Sequence, residues 1–339
     1  MLLLARELSR GIIDMGAEST PPPVPATDVF LTATIARRFY LENRSKSEIA
    51  DEFMISRFKV ARILAEAVAQ GIVRIDVTVP VRIDVDLSLA LQQRFGLSRV
   101  IVIEACEDAH EMHPDEVVQW LGEAAARLIT DTVDDDDILG LAWGLSVEAL
   151  GRAITKLARC QVVQLTGSHP DEWDSYASVS AVLRAAAIGG GTAFPLHVPL
   201  IVPNAFTATI LGKQPGIVAT LAQFEQVSKA VVEIGAWAPT LSTIYDALTE
   251  RERETYRDLG VCAEICGHLF DGNGIVLPTE FSDRVISIEV EKLRKIPEVI
   301  GIAGDAQKAD AICAVLKSGL LTGIITDASV ARRILSSSD

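Results

Sequence analysis

A glycine-containing turn joins an apolar stretch to an amphipathic one in GLAWGLSVEAL, residues 140–150. Gly144 would let the backbone approach a ligand, and Leu145 and Ser146 begin the predicted helix, with Ser146 adding a hydroxyl group. The first amide groups of a helix attract negative charge, so this arrangement predicts a site for an anion such as phosphate. A glycine turn between a strand and a helix also occurs as a plain connection, and both interpretations stay open.

A second polar turn follows the next predicted strand, in QLTG at residues 164–167. Ligands of open α/β sheets bind beyond the carboxyl ends of the strands. Thr166 and Gly167 are therefore expected at the rim of the same pocket as Ser146.

Catalytic and metal-binding patterns are weak in this chain. His110 and His113 are three residues apart, but no third ligand is evident. Glu264, His268 and Asp271 could exchange protons with a substrate, yet they form no triad or metal spacing. The sequence therefore predicts no catalytic residue, no metal and no cofactor. The five scattered cysteines are typical of reduced thiols in a cytoplasmic protein.

A different chemistry is indicated by SKSEIADEFMISRFKVAR at residues 45–62. Ser45 and Glu48 fit a capping box at the start of a short helix. Ser56 can cap the next helix, in which Val60 and Ile63 begin a regular apolar stripe that continues through Leu64, Ala67 and Val68. Two helices with such a tight turn predict a helix-turn-helix.

The second helix of that motif would carry cationic and polar side chains near its start. A DNA major groove admits one helix, arginine can contact guanine, and lysine and serine can hold phosphates. The alternative is a helical hairpin in a bundle that contacts no DNA. The expected DNA contacts are Ser45, Lys46, Ser56, Arg57, Phe58, Lys59 and Arg62.

The chain divides into three segments by composition and pattern. Residues 1–27 contain PPP and are expected to be a flexible tail; residues 28–78 form the winged helix-turn-helix, with the wing strands in IVRIDVTVPVRIDV; residues 79–339 form a larger α/β domain. Strands are predicted at 99–105, 137–143, 160–167, 229–236, 284–290, 298–304 and 322–327. Helices are predicted at 115–130, 145–158, 176–187, 218–226, 250–258, 306–317 and 328–335.

Charge is distributed unevenly along the chain. The whole chain carries a net charge of −15, whereas residues 28–78 hold eight Lys/Arg and seven Asp/Glu. The acidic total argues against DNA binding by the whole surface, and the near-neutral segment indicates two parts with different partners. The longest apolar runs fall short of a membrane span, so no membrane partner is expected.

Most of the chain after residue 28 resembles the SorC/DeoR-type family of sugar-responsive bacterial transcription regulators. The resemblance lies in Phe39-Tyr40, in EIA at 48–50, in GIVRI at 71–75, and in DDDDILGLAWGLSVEAL and DLGVCAEICGHLFDGNG. It is most specific in the block RKIPEVIGIAGDAQKADAICAVLKSGLLTGIITDASVARRIL. It implies an effector domain related in fold to sugar-phosphate isomerases.

The resemblance also implies roles for individual residues. Glu264 matches a position that accepts sugar hydroxyls, and Lys308 matches one that neutralises phosphate. Two positions depart from the family in the helix-turn-helix: Met54 stands where glycine is usual, and Ala61 where serine is frequent. Asp305 stands where glycine is frequent in the pocket, so the effector can differ from the common ones.

Together these observations predict a cytoplasmic transcription regulator of a carbohydrate operon. Its expected partners are operator DNA, a phosphorylated sugar or polyol effector, and further copies of itself in a dimer or tetramer. Two alternatives remain: a sugar-phosphate isomerase-like enzyme with an accessory helix-turn-helix, and a module whose helix-turn-helix contacts protein.

Overall fold

The computed structural model describes residues 26–73, 83–104, 114–169 and 177–337. The predicted tail lies outside these residues up to residue 25, whereas Ala26 and Thr27 already belong to the first helix. The predicted wing strands between residues 74 and 82 and the two histidines of HEMH also lie outside the described residues. The chain separates into two compact units, residues 1–78 and 79–339.

The smaller unit contains three helices: α1 (Ala26–Tyr40), α2 (Lys46–Glu52) and α3 (Arg57–Ala69). Both predicted caps are confirmed: the Ser45 and Glu48 side chains form the reciprocal capping box, and Ser56 Oγ accepts from Lys59 N at 3.2 Å. The apolar stripe of α3 is confirmed at its buried positions. It packs with α1 and α2 around a core of Ile35, Ala36, Ile49, Ala50, Val60, Ile63, Leu64 and Ala67.

The larger unit alternates helices with strands, as the pattern of apolar residues along the sequence predicts. Its helices are α4 (Val85–Phe95), α5 (Pro114–Thr132), α6 (Leu145–Ala153), α7 (Ala177–Gly189), α8 (Ala205–Gly212), α9 (Pro215–Gln223), α10 (Thr243–Ala247), α11 (Glu250–Asp258), α12 (Val290–Leu293), α13 (Ala309–Lys317) and α14 (Ala328–Ser336). Its strands are β1 (Arg99–Ile103), β2 (Ile138–Leu141), β3 (Gln161–Gln164), β4 (Ala193–Phe194), β5 (Lys229–Glu233), β6 (Gly235–Ala236), β7 (Val261–Ile265), β8 (His268–Asp271), β9 (Glu298–Ile302) and β10 (Gly323–Asp327).

Seven of these strands form one parallel sheet in the order β1-β10-β9-β5-β2-β3-β4. Ile300 of β9 lies opposite Val231 of β5, and Leu141 of β2 lies opposite the same Val231 on the other side. The chain runs outward from β2 to β3 and β4, and from β5 to β9 and β10 in the opposite direction. The order therefore reverses between β2 and β5, which is where open α/β sheets bind ligands.

Successive residues of the central strands face opposite sides of this sheet, because side chains alternate along a strand. Val231 and Ile300 pack with α5, α6 and α7, whereas Val232 and Val299 pack with α4, α9, α13 and α14. Both faces are thus covered by helices. This arrangement explains why the strands read as continuous apolar runs.

A second sheet stands beyond the end of β5. It is antiparallel, with the order β6-β7-β8, and Gly235 lies opposite Glu264. The turn between β7 and β8 contains Cys266 and Gly267, both with positive φ, at 53° and 80°. Two successive residues with positive φ form a tight turn whose twist matches that of the flanking strands of a β-hairpin. The hairpin holds Glu264, which lies in β7, on a rigid element.

The predicted elements at 99–105, 137–143, 160–167, 298–304 and 322–327 are confirmed as strands of the parallel sheet. The strand predicted at 284–290 is wrong. Ile286 and Ile288 enter the core, as alternate residues of a strand would, but the backbone makes only isolated bridges. The helix predicted at 145–158 ends at Ala153, since Ile154 has extended backbone. The elements that no prediction covered are α4, α8, α10, α12, β4 and the β7–β8 hairpin.

Within the described ranges, none of the helices combines the length and the apolar character needed to cross a bilayer.

Candidate functional site

Two adjoining pockets lie at the carboxyl ends of the parallel strands. The first, the Glu264 pocket, has a volume of about 60 Å³, and its lining includes Trp143, Thr166, Ser242, Glu264 and Lys308. The second, the Asp327 pocket, has a volume of about 490 Å³, and its lining includes Asp115, Ser146, Asp305, Asp327 and Arg332. Leu145, Glu233, Thr240, Leu241 and Lys308 border both.

The two pockets differ in what they can hold. One water-sized group needs roughly 10–15 Å³, so the Glu264 pocket admits a few hydroxyl-sized groups. Small-molecule sites commonly measure about 300–1,000 Å³, a range that includes the Asp327 pocket. A small ligand lying in the Asp327 pocket can therefore extend a polar end towards Glu264.

Glu233 is the last residue of β5, and its carboxylate lies at the start of α6. Its Oε2 accepts a hydrogen bond from Ser146 N at 2.9 Å, and its Oε1 accepts one from Ser146 Oγ at 3.4 Å. Burial raises the pKa of Glu233, against the opposing positive charge of Lys308 and the amides of α6. A side chain at Gly144 would lie 2.0 Å from Glu233 Oε2, so glycine is required there by close approach.

This contact lies at the anion site predicted at Gly144, Leu145 and Ser146, which stays a prediction. The turn has the predicted strand–glycine–helix form, but the carboxylate of Glu233 already takes the position before the helix. The amide and hydroxyl of Ser146 both donate to it, and Ser146 is itself buried. An anion at that position would meet the side chain of Glu233, which already takes the hydrogen bonds of Ser146 in this structure.

Glu264 projects from β7 and is held on both carboxylate oxygens. Ser242 Oγ donates to its Oε1 at 3.2 Å, and Gly267 N donates to its Oε2 at 3.3 Å. Burial raises the pKa of Glu264 to about 7, against these two hydrogen bonds and the charge of Lys308. A Cβ at Gly235 would lie 2.2 Å from Glu264 Oε1, so that close approach again requires glycine.

Lys308 ends the 3₁₀ turn Ala306–Lys308 that follows β9. Its Nζ donates to the carbonyl oxygen of Ile234 at 3.5 Å, which places the ammonium group beside both pockets. Asp305 starts the same turn with φ of 84°, a backbone conformation that strongly favours glycine. Its Oδ1 accepts from Gln307 N at 2.8 Å, so the aspartate caps its own turn.

Asp327, the last residue of β10, caps α14. Its Oδ1 accepts from Ser329 N at 2.8 Å and from Val330 N at 3.1 Å, and its Oδ2 accepts from Asp305 N at 2.7 Å. Arg332 lies one turn further along α14 and borders the Asp327 pocket. Asp327 thus ties the turn after β9 to the helix after β10.

Thr166 and Trp143 form the edge of the Glu264 pocket. Thr166 Oγ1 accepts a hydrogen bond from Trp143 N at 2.9 Å, and the Trp143 ring stacks on His169 with ring centroids 5.0 Å apart. Gly167 borders neither pocket: a Cβ there would lie 2.6 Å from the carbonyl oxygen of Pro199. Gly167, predicted as a rim residue, therefore packs closely against the backbone of Pro199 in this structure.

The structure brings together Leu145, Ser146, Thr166, Glu264 and Lys308 from distant parts of the sequence. Sequence reasoning missed Glu233, Asp327 and Arg332. A charged residue at the end of an apolar strand was available as a signal for Glu233 and Asp327, whereas no pattern distinguishes Arg332. Among the described residues, no group of three or more His, Cys, Asp or Glu is arranged to hold a metal ion.

In the smaller unit, the expected DNA-contacting residues lie at the starts of α2 and α3, apart from Arg62 in the second turn of α3. Arg57, Phe58 and Lys59 are exposed, Phe58 to 88%. The ammonium group of Lys46 lies 5.5 Å from the centroid of the Phe39 ring. Arg62 faces solvent beside Glu66, with 3.5 Å between Nε and Oε1.

Other cations of the smaller unit are engaged in its own fold. Glu52 of α2 binds Arg38 at 3.0 Å and Arg44 at 2.9 Å, joining α2 to the end of α1. The oxygens of Ser45 and Ser56 accept from backbone amides, which leaves each hydroxyl hydrogen able to donate outward. The turn between α2 and α3 passes through Met54, which has φ of 51°.

Comparison with known families and proteins gives consistent matches. The family model described as "Putative sugar-binding domain" matches residues 79–336. The protein named "Uncharacterized transcriptional regulator YjhU" of Escherichia coli strain K12 is 29% identical over 301 residues, covering 88% of this chain and 92% of that protein. The "Sorbitol operon regulator" of Klebsiella pneumoniae is 25% identical over 313 residues, covering 91% of this chain and 98% of that protein.

The fold has solved counterparts. The crystal structure of the full-length sorbitol operon regulator SorC from Klebsiella pneumoniae superimposes with a TM-score of 0.66, at 22% identity, over 92% of this chain and 100% of that chain. At that identity the likeness supports the fold alone. Together with the parallel sheet, it confirms the predicted α/β fold class.

Proposed function

Because this chain belongs to the sugar-binding domain family, whose model matches residues 79–336, we propose that it is a transcription regulator controlled by a small carbohydrate. It acts by binding and not as an enzyme, in line with relatives that are named as transcriptional regulators. Residues 28–78 are assigned to DNA binding. Residues 79–339 are assigned to effector binding and assembly of a homo-oligomer.

The observation that carries the effector assignment is the convergence of Glu264, Thr166 and Lys308 on adjoining pockets. They come from β7, from the turn after β3 and from the turn after β9, and the pockets lie where the sheet order reverses. Carboxylates accept hydrogen bonds from hydroxyl groups, and a threonine hydroxyl or an ammonium group donates to hydroxyl oxygens. Such a set of side chains fits a small polyhydroxy compound.

The DNA assignment is supported by the start of α3. Arg57 and Lys59 are exposed beside the Ser56 cap, while Val60 and Ile63 on the other face of the helix are buried. A helix held by one face can enter a major groove with the other. Arg57 is then placed for a base contact, while Lys59 and the Ser56 hydroxyl are placed for phosphates.

The isomerase-like alternative would need an acid and a base that face the substrate. Glu264 and Glu233 both border the pockets, but each accepts hydrogen bonds from the protein. Turnover of a sugar phosphate by the purified protein would favour that alternative over the regulator.

A DNA titration tests the proposed function. The binding sequence is first selected from a random duplex library with the full chain, and the selected duplex is then titrated with variants. Arg57→Ala should weaken binding by about 1–3 kcal/mol, because it removes a base or phosphate contact. The matched control is Arg159→Ala, which removes an exposed arginine of the larger unit and should leave affinity within about twofold.

Two outcomes would contradict the assignment. One is failure of the full chain to enrich any duplex from the library. The other is an enriched duplex that Arg57→Ala, Lys59→Ala and Arg159→Ala all bind as the unmodified chain does.

A further inference from the structure

Three backbone turns that border the two pockets are closed by carboxylates of the protein itself. Glu233 accepts from Ser146 N at the start of α6, and Asp305 accepts from Gln307 N in the turn after β9. Asp327 accepts from Ser329 N and Val330 N at the start of α14. Phosphate groups commonly bind to free backbone amides at the starts of helices. In these three turns the amides already donate to acidic side chains.

The side chains around the pockets add to this effect. The described residues that border them include five carboxyl groups, Asp115, Glu233, Glu264, Asp305 and Asp327, against two cations, Lys308 and Arg332. Burial raises the pKa of Glu233 and Glu264, but even without their charges three carboxylates face two cations. A phosphate monoester, which carries nearly two negative charges at neutral pH, would therefore meet an excess of negative charge.

Hydrogen bonding points in the same direction. Ionised carboxylates only accept hydrogen bonds, and so does a phosphate dianion, so the two cannot satisfy one another. A hydroxyl group can donate to a carboxylate and accept from Lys308, Arg332 or the Thr166 hydroxyl. A polyol or a free sugar carries several such groups on a small frame, and the combined pockets suit its size.

Asp305 is the residue that most distinguishes this site. It is held with φ of 84°, where a residue other than glycine is strained, yet its side chain caps the turn in which Lys308 lies. A glycine at this position would relieve the strain and leave Gln307 N free to bind an anion. The aspartate therefore places a negative charge in the same turn as Lys308 and closes the Gln307 amide that a phosphate would use.

We propose that the effector of this chain is an unphosphorylated polyol or sugar, and that Asp305 discriminates against phosphorylated forms. This inference rests on the proposed function, since it specifies the ligand of the same pockets. The hydroxyl groups of the ligand donate to the carboxyl groups around the pockets, and Lys308 and Arg332 donate to its oxygens.

Calorimetric titration of the full chain with matched pairs tests the inference. The pairs are sorbitol and sorbitol 6-phosphate, erythritol and erythritol 4-phosphate, ribose and ribose 5-phosphate, and fructose and fructose 6-phosphate. The unphosphorylated member of at least one pair should bind roughly tenfold or more tightly than its phosphate, a difference of about 1.4 kcal/mol.

The variant Asp305→Gly should shift that preference towards the phosphate by roughly tenfold, because it removes a negative charge and frees an amide. Glycine suits the positive φ, so the variant should fold, which its thermal unfolding curve checks. Glu254→Gln is the matched control: it removes one exposed negative charge away from both pockets and should leave the preference unchanged.

The possible results distinguish the carbohydrate-effector function from the preference for an unphosphorylated ligand. Phosphates that bind more tightly than every free partner would overturn the inference while leaving the carbohydrate-effector function in place. A preference that Asp305→Gly does not move would overturn the role of Asp305. No binding by either member of any pair would contradict the carbohydrate-effector function and the inference with it.

Discussion

At the scale of single residues, the two buried glutamates determine the chemistry of the pockets. Glu233 and Glu264 both border the Glu264 pocket, and both carry hydrogen bonds from the protein on their oxygens. Burial disfavours the ionised form of each glutamate and raises its pKa. The negative charge of Glu233 raises the pKa of Glu264 further. Hydrogen bonds from Gly267 and Ser242 oppose this effect at Glu264, those from Ser146 oppose it at Glu233, and the positive charge of Lys308 opposes it at both.

Glu264 should make the stability of the chain depend on pH. Its folded pKa of about 7 lies above the ordinary value of 4.5, so the folded state binds more protons between those values. The free energy of unfolding contributed by this group therefore falls as pH rises from about 4.5 to 7, by roughly 3 kcal/mol in total. Above pH 7 its contribution stays constant.

Urea unfolding of the unmodified chain and of Glu264→Gln, at pH 5 and pH 8, measures this effect. The unmodified chain should lose stability relative to Glu264→Gln between the two pH values, because glutamine cannot ionise. Glu254→Gln, exposed on α11, should track the unmodified chain. A gap between the unmodified chain and Glu264→Gln that stays constant across pH would show that Glu264 is not shifted.

At the scale of elements, the turn between α2 and α3 sets where the start of α3 points. Met54 lies in this turn with φ of 51°, and its side chain is 92% exposed. Its side chain therefore makes little contribution to packing, and the backbone conformation dominates the effect of a substitution. The departure from glycine noted in the sequence thus stands at a strained position.

Substitutions of Met54 should rank by backbone preference. Met54→Gly should be neutral or slightly stabilising, because relief of the left-handed strain is offset by the greater freedom of glycine in the unfolded chain. Met54→Val should cost about 1–2 kcal/mol, because a β-branched residue is least tolerant of positive φ. Hydrogen exchange of the α2 and α3 amides in the full chain reports both; equal protection in the two variants would contradict the strain.

At the scale of the whole molecule, the distribution of charge limits what the smaller unit can do alone. Residues 28–78 carry a net charge of +1, and Glu42, Glu52 and Glu66 pair with several of their arginines. Few cations remain to displace counterions from DNA, and one small module buries limited surface. We therefore expect operator binding to depend on assembly through residues 79–339 into a dimer or tetramer that reads paired half-sites.

A truncated chain of residues 1–78 should bind the selected duplex at least roughly tenfold more weakly than the full chain at the same salt concentration. The circular dichroism spectrum of the fragment shows whether α1–α3 are still formed, and sedimentation of the full chain gives its oligomeric state. A helical fragment with the affinity of the full chain, or a monomeric full chain that binds tightly, would contradict the dependence on assembly.

The sequence alone determined the features that depend on neighbours in the chain. Several features follow from spacings of a few residues: the Ser45–Glu48 capping box, the Ser56 cap, the apolar stripe of α3, and every strand of the parallel sheet except β4. Hydrogen bonds at helix starts and side-chain periodicity are local, so their signals are written in short stretches. The motif blocks carried the family resemblance for the same reason.

Only the tertiary structure decided which groups meet in the pockets. Glu233 reaches Ser146 across 87 positions of sequence, and Asp327 reaches Asp305 across 22. No local pattern states that the amides at the start of α6 are filled by a carboxylate from another strand, because the order of strands in the sheet brings the two together. The sequence predicted a phosphate site at Ser146, where the structure has the carboxylate of Glu233. The sequence showed that these amides exist, and the packing of β5 beside β2 determined that they are already occupied.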